Sequence, residues 1–148
     1  MKILICELRQ ESNSFNPIVS DMEFWKKYNN DVNNSSVIVK IVYGKRSFLF
    51  TGDIEKEAEE ILVNYGDLLK ADVLKIPHHG SKTSSTLELL KLVKPRHAVI
   101  SLGKNNKFKF PSPSVIKRLS DLKIAVIRTD INGAVIFRTN GEKLERLR

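Results

Sequence analysis

The sequence predicts an α/β fold with a mixed β-sheet and flanking helices. Apolar and β-branched runs alternate with helical patterns of about ten residues, as in layered α/β proteins. The turn signals Gly44-Lys45 and Asn140-Gly141 add antiparallel hairpins to a sheet otherwise connected through helices. The 148 residues are 41% hydrophobic and 28% charged, so the chain is long enough to bury a core.

The N-terminal residues are predicted to form a strand–loop appendage to this domain. Lys2–Leu8 is predicted to be a buried strand because it begins with an apolar run. Asp21 is predicted to cap a short helix that runs to about Lys26. The polar stretch at 28–36 is the predicted junction, which divides the chain into residues 1–30 and 31–148.

From residue 37 onward, strands and helices follow one another regularly. Each predicted strand is a short apolar run bounded by turn-forming residues, and each predicted helix carries apolar residues on one face. The predicted strands are Val37–Tyr43, Ser47–Phe50, Asp72–Ile76, His97–Leu102, Ile124–Arg128, Ala134–Arg138 and an edge strand in the last six residues. The predicted helices are Glu55–Tyr65, Thr86–Val93 and Pro113–Leu122.

Composition excludes several classes of protein. The single cysteine, Cys6, cannot form an internal disulfide, which favours a reducing compartment, and no apolar run is long enough for a membrane helix. The net charge is +8, and the first 30 residues contribute none of it. Such an excess attracts polyanions, nucleic acid above all, but by itself it is more typical of a solvated basic face. The expected location is the cytoplasm.

An aspartate follows the strand that ends at Phe50. Asp53 comes directly after Gly52, and a carboxylate at the carboxyl end of a strand can reach into a cleft at the sheet edge. The alternative is that Asp53 is the N-cap of the next helix, because aspartate is a preferred capping residue and Glu55 and Glu57 suit a first turn. Taken alone, the motif favours the cap.

Two adjacent histidines follow the next strand along the chain. His78 and His79, with Gly80 after them, are suited to binding a divalent metal or to acid–base chemistry. Side chains of adjacent residues on extended backbone point to opposite sides, so a local bend is needed for both to enter one site. A histidine pair also occurs as surface or core residues. His97, at the start of a strand, is predicted to be a structural histidine at an edge or in a second layer.

The loop after the strand that begins at His97 is basic and aromatic. Lys104, Lys107 and Lys109 are interleaved with Phe108 and Phe110. This combination suits single-stranded nucleic acid, which binds through charge and stacking, although basic loops are common.

Residues from about 33 to 140 resemble the second half of the metallo-β-lactamase-like domain of ComEC-type competence proteins, the DNA-uptake channels of bacteria. The matching segments are Asn33–Val37, Phe50–Glu55, Ala71–Ser84, Ser101–Asn106, Pro111–Pro113 and Arg128–Ala134. The resemblance implies half of an αββα sandwich. It also implies a metal-dependent hydrolase that acts on nucleic acid or another phosphodiester.

The same resemblance implies roles for individual residues. Asp53 and one of His78 and His79 would bind a divalent metal, zinc or manganese, and take part in catalysis. The residues contacting the substrate would be Ser81, Lys104, Asn105 and Asn106.

The chain departs from the family pattern in two respects. The family takes most of its ligands from a His-x-His-x-Asp-His cluster in the first half of its domain, whereas the three histidines of this chain all lie at or beyond residue 78. Phe110 stands before the Pro-Ser-Pro motif, where the family has histidine. We therefore expect weak or no catalysis by the chain alone, and either self-association or a second chain that supplies the missing half-site. The alternative is a truncated, non-catalytic module that binds DNA or a partner chain.

The first 28 residues resemble a different family. Their strand and the Glu11-Ser12-Asn13-Ser14-Phe15 loop are similar to the N-terminus of MlrC-type metallopeptidases. The resemblance covers under a fifth of the chain and implies no activity here, since the metal-binding part of that family lies far downstream. It suggests that residues 1–30 are a fused fragment.

Overall fold

Six strands form one mixed sheet in the computed structural model, which describes the backbone of residues 2–8 and all of residues 32–148. The strands lie side by side in chain order. Only β2 and β3 pair antiparallel, and every other neighbouring pair is parallel. The mixed sheet predicted from the sequence is therefore confirmed. The strands are β1 Lys2–Leu8, β2 Val37–Tyr43, β3 Arg46–Phe50, β4 Val73–Lys75, β5 His97–Ile100 and β6 Ala125–Arg128.

Helices connect the parallel strands from β3 to β6, and a separate hairpin follows β6 at the C-terminal end of the chain. The helices are α1 Lys56–Leu62, α2 Leu87–Val93, α3 Pro113–Asp121 and α4 Thr129–Asn132, with 3-10 segments at Val63–Leu69 and Pro77–Gly80. The hairpin pairs β7 Phe137–Thr139 with β8 Leu144–Arg146. None of the helices between residues 32 and 148 has the length and apolar character that crossing a bilayer requires.

One face of the sheet forms the hydrophobic core with the helices. The strand register places Leu49, Leu74 and Ala98 side by side on this face, and all three are buried. Leu62 of α1 and Leu119 of α3 belong to the same buried cluster. Burial of side chains this size stabilises a fold by roughly 1.5–3 kcal/mol each, so the helical layer holds the strands in place.

The opposite face of the sheet carries a groove of about 520 Å³. Phe50, which is 41% exposed, lies in it beside Val73 and Val99. Phe137 of β7 covers one end of this face, with its ring 6.1 Å from that of Phe48. The groove is mainly apolar, and we refer to it below as the sheet-face groove.

The predicted bounds agree with the structure for β1 and β2 and differ elsewhere. The helix predicted to reach Tyr65 ends at Leu62. A 3-10 segment follows it directly and is interrupted at Gly66 (φ 56°, ψ −134°). The strand predicted at Ala134–Arg138 begins only at Phe137 and ends at Thr139, and the hydrogen bonds of Ile136 with Leu147 and Arg148 continue the hairpin beyond the bounds of β7 and β8.

Part of the predicted appendage lies outside the described residues. This is true of the helix predicted over 21–26, of residues 28–31 of the predicted junction and of the Glu11–Phe15 loop. The division between residues 1–30 and 31–148 and the burial of the β1 side chains stay predictions.

A buried carboxylate joins α1 to the loop before α2. Glu59 is fully buried, and its two carboxylate oxygens accept hydrogen bonds from the backbone N–H groups of Ser85 (2.6 Å) and Thr86 (2.7 Å). Arg118 donates to the Ser85 carbonyl at 2.5 Å. Burial raises the pKa of Glu59, although the hydrogen bonds and the Arg118 charge act in the opposite direction. Glu59 thus fixes the loop that follows the histidine pair.

We expect Glu59→Ala to lower the free energy of unfolding by about 2–4 kcal/mol, because two buried N–H groups lose their acceptors. The control is Glu60→Ala on the same helix, where the exposed carboxylate forms an ion pair with Lys56, and it should change stability by less than about 0.5 kcal/mol. Urea unfolding followed by circular dichroism measures both. Equal effects of the two substitutions would contradict a clamping role for Glu59.

The same carboxylate makes stability depend on pH. Because the pKa of Glu59 is raised in the native state, the folded protein keeps a proton there at pH values where the unfolded chain has released it. The contribution of Glu59 to stability therefore falls as the pH rises from its ordinary pKa through the raised one. Urea unfolding across this range should show a shallower decline in Glu59→Gln than in the wild type.

Candidate functional site

Parallel pairing of β3 and β4 brings the two sequence motifs together. Phe50 lies opposite Lys75, so both strands end at the same edge of the sheet. Asp53 follows β3 there, and the histidine pair follows β4. The connection is direct, since the N–H of His78 donates to the Gly52 carbonyl at 3.3 Å.

The backbone at the histidine pair is bent rather than extended. His78 (φ 44°, ψ 45°) and His79 (φ 53°, ψ 20°) both adopt the left-handed conformation within the segment Pro77–Gly80. This conformation costs a non-glycine residue roughly 1–2 kcal/mol, and such strain is concentrated at functional sites. The bend still separates the two rings, whose centroids are 6.4 Å apart. Each ring faces a different carboxylate.

His79 is the histidine beside Asp53. Its Nδ1 lies 2.5 Å from the carbonyl oxygen of Ser101, which can only accept, so in the neutral ring Nδ1 carries the proton. Nε2 then presents its lone pair toward Asp53 Oδ2, at 3.5 Å. A backbone acceptor on one ring nitrogen is the usual way of orienting a histidine that binds metal through the other.

Asp53 is not a helix cap, so the interpretation favoured by the isolated motif is wrong. The N-cap of α1 is Glu55, and no side chain caps this helix. The backbone N–H of Asp53 donates to Ser36 Oγ (3.0 Å), and its Oδ1 lies 3.3 Å from Lys75 Nζ. These contacts turn the carboxylate toward His79. The side chains of Asp53 and His79 are each about two-fifths exposed.

His78 forms the wall of the site on the other side. Its Nδ1 is buried and lies 2.8 Å from Glu55 Oε1, an ion-pair distance, but has no hydrogen-bond partner among the described residues. Thr83 donates to the same oxygen of Glu55 at 3.0 Å. The His78 ring packs edge-on against Phe110, with 5.7 Å between centroids.

The donor atoms at this edge are of the types that bind a divalent metal, but the described residues offer too few of them for a complete site. Asp53 and His79 offer a carboxylate oxygen and an imidazole nitrogen, which are common zinc and manganese ligands. Catalytic zinc normally has three protein ligands, and among residues 32–148 no three His, Cys, Asp or Glu side chains lie close enough together to hold an ion. The described residues therefore fit one side of a metal site and not a complete one.

The other predicted site residues fall into two groups. Ser81 is buried (5% exposed), and its hydroxyl shares a 2.8 Å hydrogen bond with Thr83. Lys104 and Asn105 are exposed on the loop after β5, where the Asn106 side chain hydrogen-bonds to backbone atoms. The substrate contacts predicted for these four residues stay predictions.

His97 is half-buried and packs against the ring of Phe137, with 5.4 Å between centroids. β5 pairs with both β4 and β6, so His97 is not on an edge strand, and the structural role predicted for it stays a prediction.

Sequence reasoning missed three residues that orient the candidate ligands. Lys75 donates to the Gly52 carbonyl (2.8 Å) as well as contacting Asp53, and it is the only charged residue in β4. A single charged residue in a short apolar strand is the sequence feature that could have indicated this role of Lys75. Ser36 and Ser101 act through a hydroxyl and a backbone carbonyl, and no sequence pattern marks either role.

Comparison with known proteins agrees with this architecture. Residues 29–104 match the metallo-beta-lactamase superfamily, and the chain belongs to that superfamily. Members of the superfamily typically bind divalent metals.

Its relatives include competence proteins, as expected for a ComEC-type C-terminal domain. The chain is 43% identical over 106 residues to ComE operon protein 3 of Bacillus subtilis, covering 72% of this chain and 14% of the relative. It is 40% identical over 134 residues to competence protein ComA of Neisseria gonorrhoeae, a match that covers 86% of this chain and 19% of the relative. It is 42% identical over 113 residues to recombination protein 2 of Haemophilus influenzae, a match that covers 76% of this chain and 14% of the relative. The chain thus spans less than a fifth of the length of these relatives.

We expect Gly52→Ala to destabilise the protein more than Gly66→Ala. Both glycines have a positive φ (59° and 56°), which strains an alanine, but a Cβ on Gly52 would lie 2.5 Å from Ser36 Cβ, whereas nothing lies within 4 Å at Gly66. Gly66→Ala should cost about 1–3 kcal/mol from backbone strain, because only glycine readily populates the Gly66 conformation (ψ −134°), and the Ser36 contact should add about 1–3 kcal/mol in Gly52→Ala. Urea unfolding measures the difference, and equal losses would show that Ser36 does not constrain the turn before Asp53.

Proposed function

We propose that this chain contributes Asp53 and His79 to the divalent-metal site of a phosphodiester hydrolase related to the competence proteins. The remaining ligands come from groups outside the described residues, such as those of a second chain. Nucleic acid is the proposed substrate class.

The observation that carries this proposal is the opposition of two lone-pair donors. In the neutral form of His79, with its proton on Nδ1, Nε2 presents a lone pair toward the Asp53 carboxylate at 3.5 Å. Two acceptors that face one another repel, and a cation between them turns this repulsion into attraction. The chemistry of the pair, a carboxylate and an imidazole, suits zinc or manganese.

Each residue has a distinct task in the proposed site. A bound divalent metal supplies positive charge to the phosphate oxygens during hydrolysis. Asp53 and His79 hold it, and the Ser101 carbonyl keeps the His79 ring in its orientation. Lys75, about one-fifth exposed and 3.3 Å from Asp53, adds a positive charge that orients the carboxylate and attracts a phosphate. The packed rings of His78 and Phe110 border the site on one side.

The sheet-face groove supports a site completed by another polypeptide segment. It begins at Lys75 and Ser101, next to the candidate ligands, and continues along Phe50 and Val99. An apolar surface of this kind is typical of an interface. A segment packed there would bring its own side chains within reach of Asp53. This groove also favours the second candidate function, a non-catalytic module that binds a partner chain.

We expect the 148-residue chain to bind Mn²⁺ or Zn²⁺ weakly, with saturation below about 1 mM, and Asp53→Asn or His79→Gln to weaken binding about tenfold or more. Isothermal titration calorimetry near neutral pH measures the affinity. Hydrolysis of bis(p-nitrophenyl) phosphate at saturating metal should fall by at least the same factor, from a low wild-type rate.

Asp67→Asn and His97→Gln are the matched controls, since Asp67 lies in the 3-10 segment after α1 and His97 at the amino end of β5, opposite the candidate site, and both should behave as wild type. Unchanged metal affinity in Asp53→Asn, or no binding by the wild type below about 1 mM, would contradict the proposal. Either result would favour the non-catalytic module.

A further inference from the structure

The loop between β5 and α3 exposes an aromatic ring with a supported face. Phe108 is 66% exposed, although burying a phenylalanine side chain is favourable by roughly 1.5–3 kcal/mol. Its ring stacks on that of Phe110, with centroids 5.6 Å apart and an angle of 20° between the planes. An exposed ring supported in this way is available for stacking.

The loop is fixed by its own side chains and attached to the candidate site. Asn106 Oδ1 accepts from the Phe110 N–H (2.8 Å), and its Nδ2 donates to the Phe110 carbonyl (2.9 Å). Phe110 in turn packs against His78, so the rings of Phe108, Phe110 and His78 form a continuous series. A ligand on Phe108 would therefore lie two aromatic rings away from the histidine pair.

The charge around this loop is uniformly positive. Residues 89–120 contain eight Lys and Arg residues and no Asp or Glu. Lys104, Lys107 and Lys109 are exposed, and none of them forms an ion pair with another residue of the described part of the chain. Lys107 Nζ lies 5.4 Å from the centroid of the Phe108 ring. Cations beside an exposed aromatic ring match the alternation of phosphates and bases along a nucleic-acid strand.

We propose that the loop at 103–110 binds single-stranded nucleic acid, with one unpaired base stacked on Phe108 and phosphates contacting Lys104, Lys107 and Lys109. Bases of a duplex already stack on one another and do not offer a free face, so the loop discriminates in favour of single strands. The inference deepens the proposed function. Only the later cleavage of the bound strand depends on that function. Binding itself requires no metal.

The test is fluorescence anisotropy with a labelled oligothymidine about twelve nucleotides long, at low salt and in EDTA. Phe108→Ala in the 148-residue chain should weaken binding about 5- to 100-fold, which is the range for loss of one base–aromatic stack. Phe108→Leu, which keeps an apolar side chain but has no ring face, should also weaken it. A duplex of the same length should bind Phe108→Ala and wild type within about twofold of each other.

Ile131→Ala is the matched control, because Ile131 is an equally exposed apolar residue (67%) on α4. It should bind the oligonucleotide as the wild type does. Lys107→Gln should reduce the slope of log affinity against log salt by about 0.7, and Lys143→Gln in the β7–β8 turn should not. Wild-type affinity in Phe108→Ala, or an equal loss with duplex, would overturn the proposal.

Asp53→Asn distinguishes the stacking loop from the metal site, since this variant should bind the oligonucleotide in EDTA as the wild type does. If metal titration fails while Phe108→Ala still weakens oligonucleotide binding, the stacking loop is supported and the hydrolase is not. If Phe108→Ala binds normally while Asp53→Asn abolishes hydrolysis, the loop assignment is wrong and the metal site stands.

Discussion

The arrangement of the site depends on the parallel pairing of β3 and β4. This pairing sets Phe50 opposite Lys75 and lets both strands end at one edge of the sheet. Two residues of β4 and its following turn then contact the same carbonyl, that of Gly52, which accepts from Lys75 Nζ and from the His78 N–H. Residues that are 26 positions apart in the sequence, Asp53 and His79, meet as a consequence.

The surrounding structure stabilises a strained backbone at this edge. Two consecutive left-handed histidines persist only where neighbouring contacts over-determine them. Ser84, which is buried, donates to the Pro77 carbonyl at 3.0 Å, and Glu59 holds the next two backbone N–H groups. The helical layer therefore does more than bury apolar area, because Glu59 of α1 also fixes the loop that follows the histidine pair.

The sequence was sufficient for the elements with strong local signals and insufficient where tertiary contacts decide. Val37–Tyr43 is β-branched and ends at a glycine turn, and its predicted bounds agree with the structure. The His78–His79 bend could not be predicted, because non-glycine residues rarely adopt that conformation without outside support. Likewise, the Asp53 motif alone favoured a helix cap, and only the position of Lys75 and His79 in space shows otherwise.

The proton position on His79 tests the central claim most directly. Long-range proton–nitrogen NMR correlation on histidine-labelled protein reports which ring nitrogen carries the proton in the neutral form. We predict that it is Nδ1, bonded to the Ser101 carbonyl, and that the Nε2 resonance moves when Zn²⁺ is added. A proton on Nε2, with no change on adding Zn²⁺, would mean that His79 donates to Asp53 and that the two residues do not form one side of a metal site.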